Sequence, residues 1–177
     1  MEDARFKVCI FGDGGVGKTC LVNRYLTGLF TPSPELTLGV DFHVKWLNIE
    51  EKKIFLQLWD FAGEERFRFI LPNYIIGASG CVFMYDITRY STFRNFDEWI
   101  TVFNEGVQRN KENMPLIIVG SKSDLEEYRT VPEMEVAEVV KKHNIIDNIE
   151  CSSKTGENVE DIFVKITRIM MEKAELL

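Results

Sequence analysis

The chain has 177 residues, 45% of them hydrophobic and 28% charged, a balance that suits one globular domain spanning residues 1–177 with a core large enough to fold unaided. Lys and Arg number 21 against 28 Asp and Glu, and the net charge of −7 speaks against bulk attraction to nucleic acid or to an anionic membrane. Any phosphate must therefore be held locally, by a few well-placed groups.

The first element is FKVCIF (6–11), apolar but for Lys7, which reads as a strand buried on both faces of a parallel sheet. Directly after it, Gly12 through Thr19 fit the spacing G-x-x-x-x-G-K-T, and Leu21, Tyr25 and Leu26 then share a helical face. Strand, glycine loop and helix form the context in which this spacing binds phosphate. Glycines let the backbone turn through positive φ, so that successive N–H groups converge on phosphate oxygens, and the helix N-terminus adds its partial positive charge. Lys18 can reach the terminal phosphates and the Thr19 hydroxyl can ligate Mg²⁺. A glycine turn without a ligand is the competing reading, and the loop alone does not separate GTP from ATP or a switch from a kinase.

Residues 41–60, DFHVKWLNIEEKKIFLQLWD, partly alternate and are broken by EEKK, which predicts two strands joined as a hairpin. The second ends on Asp60, whose carboxylate can hold Mg²⁺ through water; Gly63 follows three residues on, where a bare N–H can meet a γ-phosphate. A turn or cap role for that aspartate is the alternative. GCVFMYDI (80–87) and PLIIVG (115–120) are two further buried strands, and between them Phe93, Phe96, Trp99, Ile100 and Phe103 share a helix face. GSKSDL then places Lys122 and Asp124 at the carboxyl edge of the sheet, where α/β folds bind ligands. Asp124 can accept from both the N1–H and the 2-amino group of guanine, a donor pair that adenine lacks.

VPEMEVAEVVKKHN reads as a helix with Pro132 near its start, acids in its first turn and a basic end. ECSSK (150–154) follows the next strand signal and would close over a base, although it and GSKSDL also fit ordinary polar turns. The final helix carries Val159, Ile162, Phe163, Ile166, Ile169 and Met170 on one stripe behind Glu157, Glu160 and Asp161. Strands and helices alternating in this way imply a three-layer α/β sandwich.

Cys9, Cys20, Cys81 and Cys151 lie far apart, without C-x-x-C spacing, so they read as reduced core thiols rather than metal ligands, and a cytoplasmic setting is expected. The opening MEDARFKV lacks a signal-peptide apolar run, no stretch is long enough to span a bilayer, and there is neither a second-position glycine nor a terminal C-a-a-X. No membrane anchor is expected in this chain, and peripheral attachment only through a lipidated tail lying outside it.

From Phe6 to the last helix the sequence resembles the Ras superfamily of small GTPases, and within it the Rab group. WDFAGEERF is similar to the Rab stretch WDTAGQERF, LTLGVDF to the switch stretch STIGVDF, and ECSSKTGENVEDIF to ETSAKTGENVEEAF. The resemblance implies the P-loop GTPase fold, with a six-stranded, mostly parallel sheet carrying one antiparallel edge strand. It implies that Gly14, Gly15, Val16, Gly17, Lys18, Thr19 and Cys20 cradle phosphates and metal, and that Phe30 lies against the guanine. It also implies that Thr37 binds Mg²⁺ and γ-phosphate, that Lys18, Thr37, Gly63 and position 64 serve hydrolysis, and that Ser121, Lys122, Asp124, Ser152, Ser153 and Lys154 surround the base. Phe42, Trp59 and Tyr74 match an aromatic trio that Rab proteins present to effectors, with core packing as the rival reading. A monomer with GTP and GDP as substrate and product is expected, meeting an exchange factor, an activating protein and effectors through residues 31–41 and 61–75.

The sequence departs from the family at three of these positions. Glu64 stands where a glutamine usually orients the attacking water, which predicts slow intrinsic hydrolysis, or in the extreme a GTP-binding module with negligible turnover. Ser121 replaces the asparagine of N-K-x-D and is expected to be too short for that residue's contacts to base and P-loop. Pro34 stands where many relatives carry a tyrosine over the phosphates, while Gly14 leaves room for an arginine supplied in trans. A P-loop ATPase or nucleotide kinase is the remaining rival, and Asp124 with the Ser152–Lys154 stretch speaks against it.

Overall fold

A computed structural model describes residues 2–110 and 113–177. Six strands form one sheet in the order β2-β3-β1-β4-β5-β6: β1 (Ala4–Phe11), β2 (Val40–Ile49), β3 (Lys52–Phe61), β4 (Gly80–Asp86), β5 (Leu116–Ser121) and β6 (Asp147–Cys151). All neighbours run parallel except β2, which pairs antiparallel with β3 at the sheet's edge, as a short hairpin turn demands. Glu50 and Glu51 make that turn, both at positive φ.

Helices cover both faces. α1 (Lys18–Thr27) and α6 (Val159–Lys173) lie on one side, where Val8 and Ile10 of β1 meet Leu21, Val22, Phe163 and Ile166. α2 (Leu71–Ile75), α3 (Tyr90–Arg94), α4 (Phe96–Asn110) and α5 (Glu133–Lys142) belong to the other, where Cys9 and Phe11 of the same strand meet Phe83, Trp99 and Phe103. The alternation along β1 is the period-2 geometry of a strand buried on both faces. Cys9, Cys81 and Cys151 are buried free thiols, and Cys20 is half-buried.

The helix expected across residues 93–103 is interrupted at Asn95. This residue closes α3 and turns its side-chain amide inward to donate to Asp13 in the glycine loop at 2.6 Å. Two short 3-10 stretches, Glu65–Ile70 and Ser123–Tyr128, occupy the loops after β3 and β5. These loops and the one leaving β1 stand at the carboxyl edge of the sheet, the edge at which open α/β folds bind ligands.

Candidate functional site

At that edge the loops enclose a cavity of about 700 Å³. Its floor is the loop after β1, where Gly12, Gly15 and Gly17 take φ of 143°, 71° and 100°, a path that residues with a Cβ follow only under strain. Gly17 stands at the start of α1, which has no side-chain cap, so the cavity meets the uncapped positive end of the helix dipole. Lys18, the first residue of α1, is only 5% exposed. Its Nζ donates to the carbonyls of Gly12 at 2.8 Å and Asp13 at 2.7 Å. Burial strips this ammonium of water and pushes its pKa down to about 8, although Asp60 and Asp13 pull the other way. A cation so placed gains from an anionic ligand.

One wall gathers oxygen donors. The Thr19 hydroxyl donates to Asp60 Oδ2 at 2.6 Å, and the Thr37 hydroxyl lies 3.0 Å from that of Thr19. Thr37 comes from the irregular segment between α1 and β2, so three distant parts of the chain meet here. Asp60 is fully buried, and its Oδ1 has no hydrogen-bond partner. Burial raises its pKa against the hydrogen bond from Thr19 and the charge of Lys18. An unpaired buried carboxylate oxygen beside two hydroxyls fits a small hard cation that takes oxygen ligands, Mg²⁺ above all. Among the described residues no three His, Cys, Asp or Glu side chains gather into a metal site. A cation here therefore needs ligand oxygens as well, such as those of a bound phosphate.

Gly63 closes this side. A Cβ on it would lie 2.2 Å from the backbone nitrogen of Gly14, so only glycine lets the loop after β3 touch the phosphate loop. The opposite end of the cavity is built from the loops after β5 and β6. Asp124 lines it, and its Oδ1 accepts from the Ser152 hydroxyl at 2.6 Å, while Oδ2 has the Lys154 ammonium at 4.0 Å.

Gly14, Gly15, Val16, Gly17, Lys18, Thr19, Cys20, Phe30, Thr37, Gly63, Glu64, Ser121, Lys122, Asp124, Ser153 and Lys154 all line this one cavity. Asp60 lies just behind Thr19. Ser152 is placed differently: it is fully buried and does not line the cavity, accepting instead from the Thr155 N–H at 3.1 Å while it fixes Asp124 from behind. Three contributors escape the sequence reading. Asp13, a variable position of the loop motif, accepts from Trp99 at 2.8 Å, Asn95 at 2.6 Å and Arg68 at 3.1 Å, joining the phosphate loop to α4 and to the stretch after Gly63. Asp86, the last residue of β4, and Arg89, just after it, brace the same loop, Arg89 bonding both Asp86 and the Gly14 carbonyl. Only the strand-end position of Asp86 hints at this in the sequence.

The model of the Ras family matches residues 7–172, nearly the whole chain. The chain belongs to the Ras family. It is 38% identical over 171 residues to Ras-related protein Rab-19 of Xenopus laevis, covering 97% of this chain and 79% of the relative. Rab-19 of Mus musculus is 37% identical over 174 residues (98% and 79%), and Ras-related protein SEC4 of Saccharomyces cerevisiae is 39% identical over 173 (98% and 78%). It is thus a Rab-like Ras-superfamily GTPase, and the six-stranded sheet with its antiparallel edge is the fold of that family.

Within this Ras-family chain the Rab-like aromatic trio forms a continuous row. Phe42 and Trp59 have ring centroids 4.8 Å apart, and Trp59 and Tyr74 5.4 Å. Phe42 is exposed while the other two are half-buried against the core, so surface and packing readings each hold for part of the row. Among the described residues no helix is long and apolar enough to cross a membrane.

Ser121 corrects one expectation. Its hydroxyl lies 2.5 Å from the Val16 carbonyl and 2.9 Å from that of Tyr85, so serine does reach the phosphate loop. The end of β5 packs close enough beneath the loop for one hydroxyl to bridge the gap. With a single hydrogen it satisfies one of the two carbonyls at a time.

Proposed function

We propose that this chain is a guanine-nucleotide switch that hydrolyses GTP slowly on its own. The observation that carries the reading is the meeting of Thr37 with Thr19 and Asp60 on the wall of the same cavity that Asp124 lines. Asp124 would read guanine; the amides from Gly14 to Thr19, with Lys18, would hold the phosphates. Mg²⁺, when bound by Thr19 and Thr37 with Asp60 behind them, would neutralise charge between the outer phosphates. Thr37 then ties residues 31–41 to the GTP form, and the Gly63 amide does the same for residues 61–75. Loss of the γ-phosphate frees both segments. Leu36 and Leu38 in the first and Phe69 in the second stand largely exposed, which supports contact with exchange factors, activating proteins and effectors through these segments.

Glu64 sets the rate in this reading. Its carboxylate pairs with Arg66 Nε at 2.7 Å, both side chains being largely exposed. Such a surface pair contributes about 0–1 kcal/mol. An ionised carboxylate about 4 Å from phosphate charge meets a repulsion of order 4 kcal/mol at an effective dielectric near 20. Repulsion wins, and Glu64 is a poor holder of the attacking water. In single-turnover GTP hydrolysis Glu64→Gln is expected to be about tenfold or more faster than the natural protein. An equal or lower rate contradicts this reading of Glu64. No turnover in either protein favours the module that binds GTP without hydrolysing it.

Ser121 governs retention. Its bond to Val16 keeps the phosphate loop tied to β5, but a hydroxyl that donates its one hydrogen to that carbonyl has none left to donate to the base. Ser121→Asn is expected to slow fluorescent-GDP release several-fold, by about one net hydrogen bond's worth of 0.5–1.5 kcal/mol. Equal off-rates contradict it.

A further inference from the structure

The turn after β4 holds charged groups that the switch reading leaves unused. Asp86, the last residue of β4, is fully buried. Its Oδ1 accepts from the Thr88 N–H at 2.9 Å and the Thr88 hydroxyl at 2.7 Å. Its Oδ2 takes Lys122 Nζ at 2.6 Å and Arg89 Nε at 3.1 Å. Arg89 then reaches onward, and its Nη2 donates to the Gly14 carbonyl at 2.9 Å. One buried carboxylate thus joins the base-side loop, through Lys122, to the phosphate loop, through Arg89.

The bond to Gly14 has a directional consequence. The peptide unit between Gly14 and Gly15 is planar and trans, so its N–H points opposite to its carbonyl. Flanked by glycine on both sides, this unit meets no Cβ and has little to stop it rotating. The guanidinium supplies that stop. It lies so close that a Cβ on Gly15 would stand 3.4 Å from Arg89 Nη2, and Gly15 itself lines the cavity. Pulling the Gly14 carbonyl toward Arg89 turns the Gly15 N–H the other way. Arg89 is suited to this because its fork spans two acceptors at once, a carboxylate and a carbonyl, which a lysine ammonium on a single stem does less well.

We propose that Arg89 is a positioning residue for the nucleotide's phosphates: anchored on Asp86, it fixes the Gly14–Gly15 peptide with its N–H presented for phosphate and couples opening of the phosphate loop to opening of the base-side loop. This rests on the guanine-nucleotide reading above. Arg89 is 44% exposed on its side chain, and its loss leaves Asp86 still bonded to Lys122 and Thr88, so a variant here keeps the buried carboxylate paired.

The test is release of fluorescent GDP from the natural protein, Arg89→Ala and Arg89→Lys, together with amide hydrogen exchange of their GDP complexes. Arg89→Ala is expected to release GDP about tenfold faster and to lose protection at the Gly15 amide while the amides of α4 and α6 keep theirs. Arg89→Lys is expected to recover only part of the difference. Unchanged release and unchanged Gly15 protection in Arg89→Ala overturn the proposal. So does a loss of protection across the whole sheet, the mark of a general brace, or full recovery with lysine, which would show that charge alone suffices. A natural protein that retains no GDP at all overturns the guanine reading itself, and the proposal with it.

Discussion

Asp124→Asn is expected to weaken GDP and GTP binding by about 10²–10⁴-fold. The carboxylate can accept from two guanine donors, and hydrogen bonds to a charged group contribute about 1.5–3 kcal/mol each, so a pair is worth about 3–6 kcal/mol. Every 1.4 kcal/mol is about tenfold in affinity. Asparagine keeps the shape and can still accept from Ser152, which holds Oδ1 at 2.6 Å. Its amide NH₂, however, would face guanine's own donors, leaving buried N–H groups unpaired. Because the fold contact with Ser152 survives, the thermal stability of the protein without nucleotide should change little. Equilibrium titration with fluorescent GDP reads the effect, and an affinity within about threefold of the natural protein contradicts the assignment of Asp124.

Lys18→Ala is expected to lower affinity for GDP and GTP by about 10³-fold. The magnitude follows from roughly 4 kcal/mol between unit charges about 4 Å apart at an effective dielectric near 20. The ammonium is nearly buried and has lost most of its hydration, so a phosphate meets a cation that has already been stripped of water. The same substitution removes the donor to the Gly12 and Asp13 carbonyls, so a lower melting temperature without nucleotide should accompany the lost affinity. Lys18→Arg tests contact geometry apart from charge: it keeps a unit positive charge, but its planar fork does not reproduce the compact contact of Nζ with both carbonyls, so it should recover only part of the affinity and part of the stability. Unchanged GDP affinity in Lys18→Ala contradicts the role given to this residue.

The features legible in the sequence were the local ones. FKVCIF and PLIIVG could be read as buried strands because continuous apolar, β-branched runs have few other uses, and both lie in the core of the sheet. The glycine loop was legible because its spacing, strand and helix are all contiguous. Asp60 reads as a strand-end residue that shares Mg²⁺ with Thr19, but the arrival of Thr37 beside them depends on packing between segments 18 and 23 residues apart, which only the family resemblance brings together. The resemblance puts Ser152 beside the base, but a sequence does not say which way a loop side chain turns. The loop after β6 turns it inward, toward Asp124 and Thr155.

The braces of the site were the least legible part. Arg89 meets Gly14 across 75 positions, and Trp99 meets Asp13 across 86. Arg89 belongs to no periodic pattern or short motif, and the helical stripe that includes Trp99 does not say what its indole N–H meets; each acts through a side-chain bond to a backbone or a carboxylate that only the folded chain brings near. Ser121 was legible as a departure, yet its reach to Val16 follows from how closely β5 approaches the phosphate loop. These long-range polar bonds set the loop's geometry, and none of them leaves a local trace in composition or spacing.

The measurement that tests the central claim most directly is displacement of fluorescent GDP from the natural protein by GTP, GDP or ATP at equal concentration in the presence of Mg²⁺. GTP and GDP are expected to displace it and ATP is not, with chelation of Mg²⁺ speeding GDP release. Displacement by ATP as effective as that by GTP would contradict it.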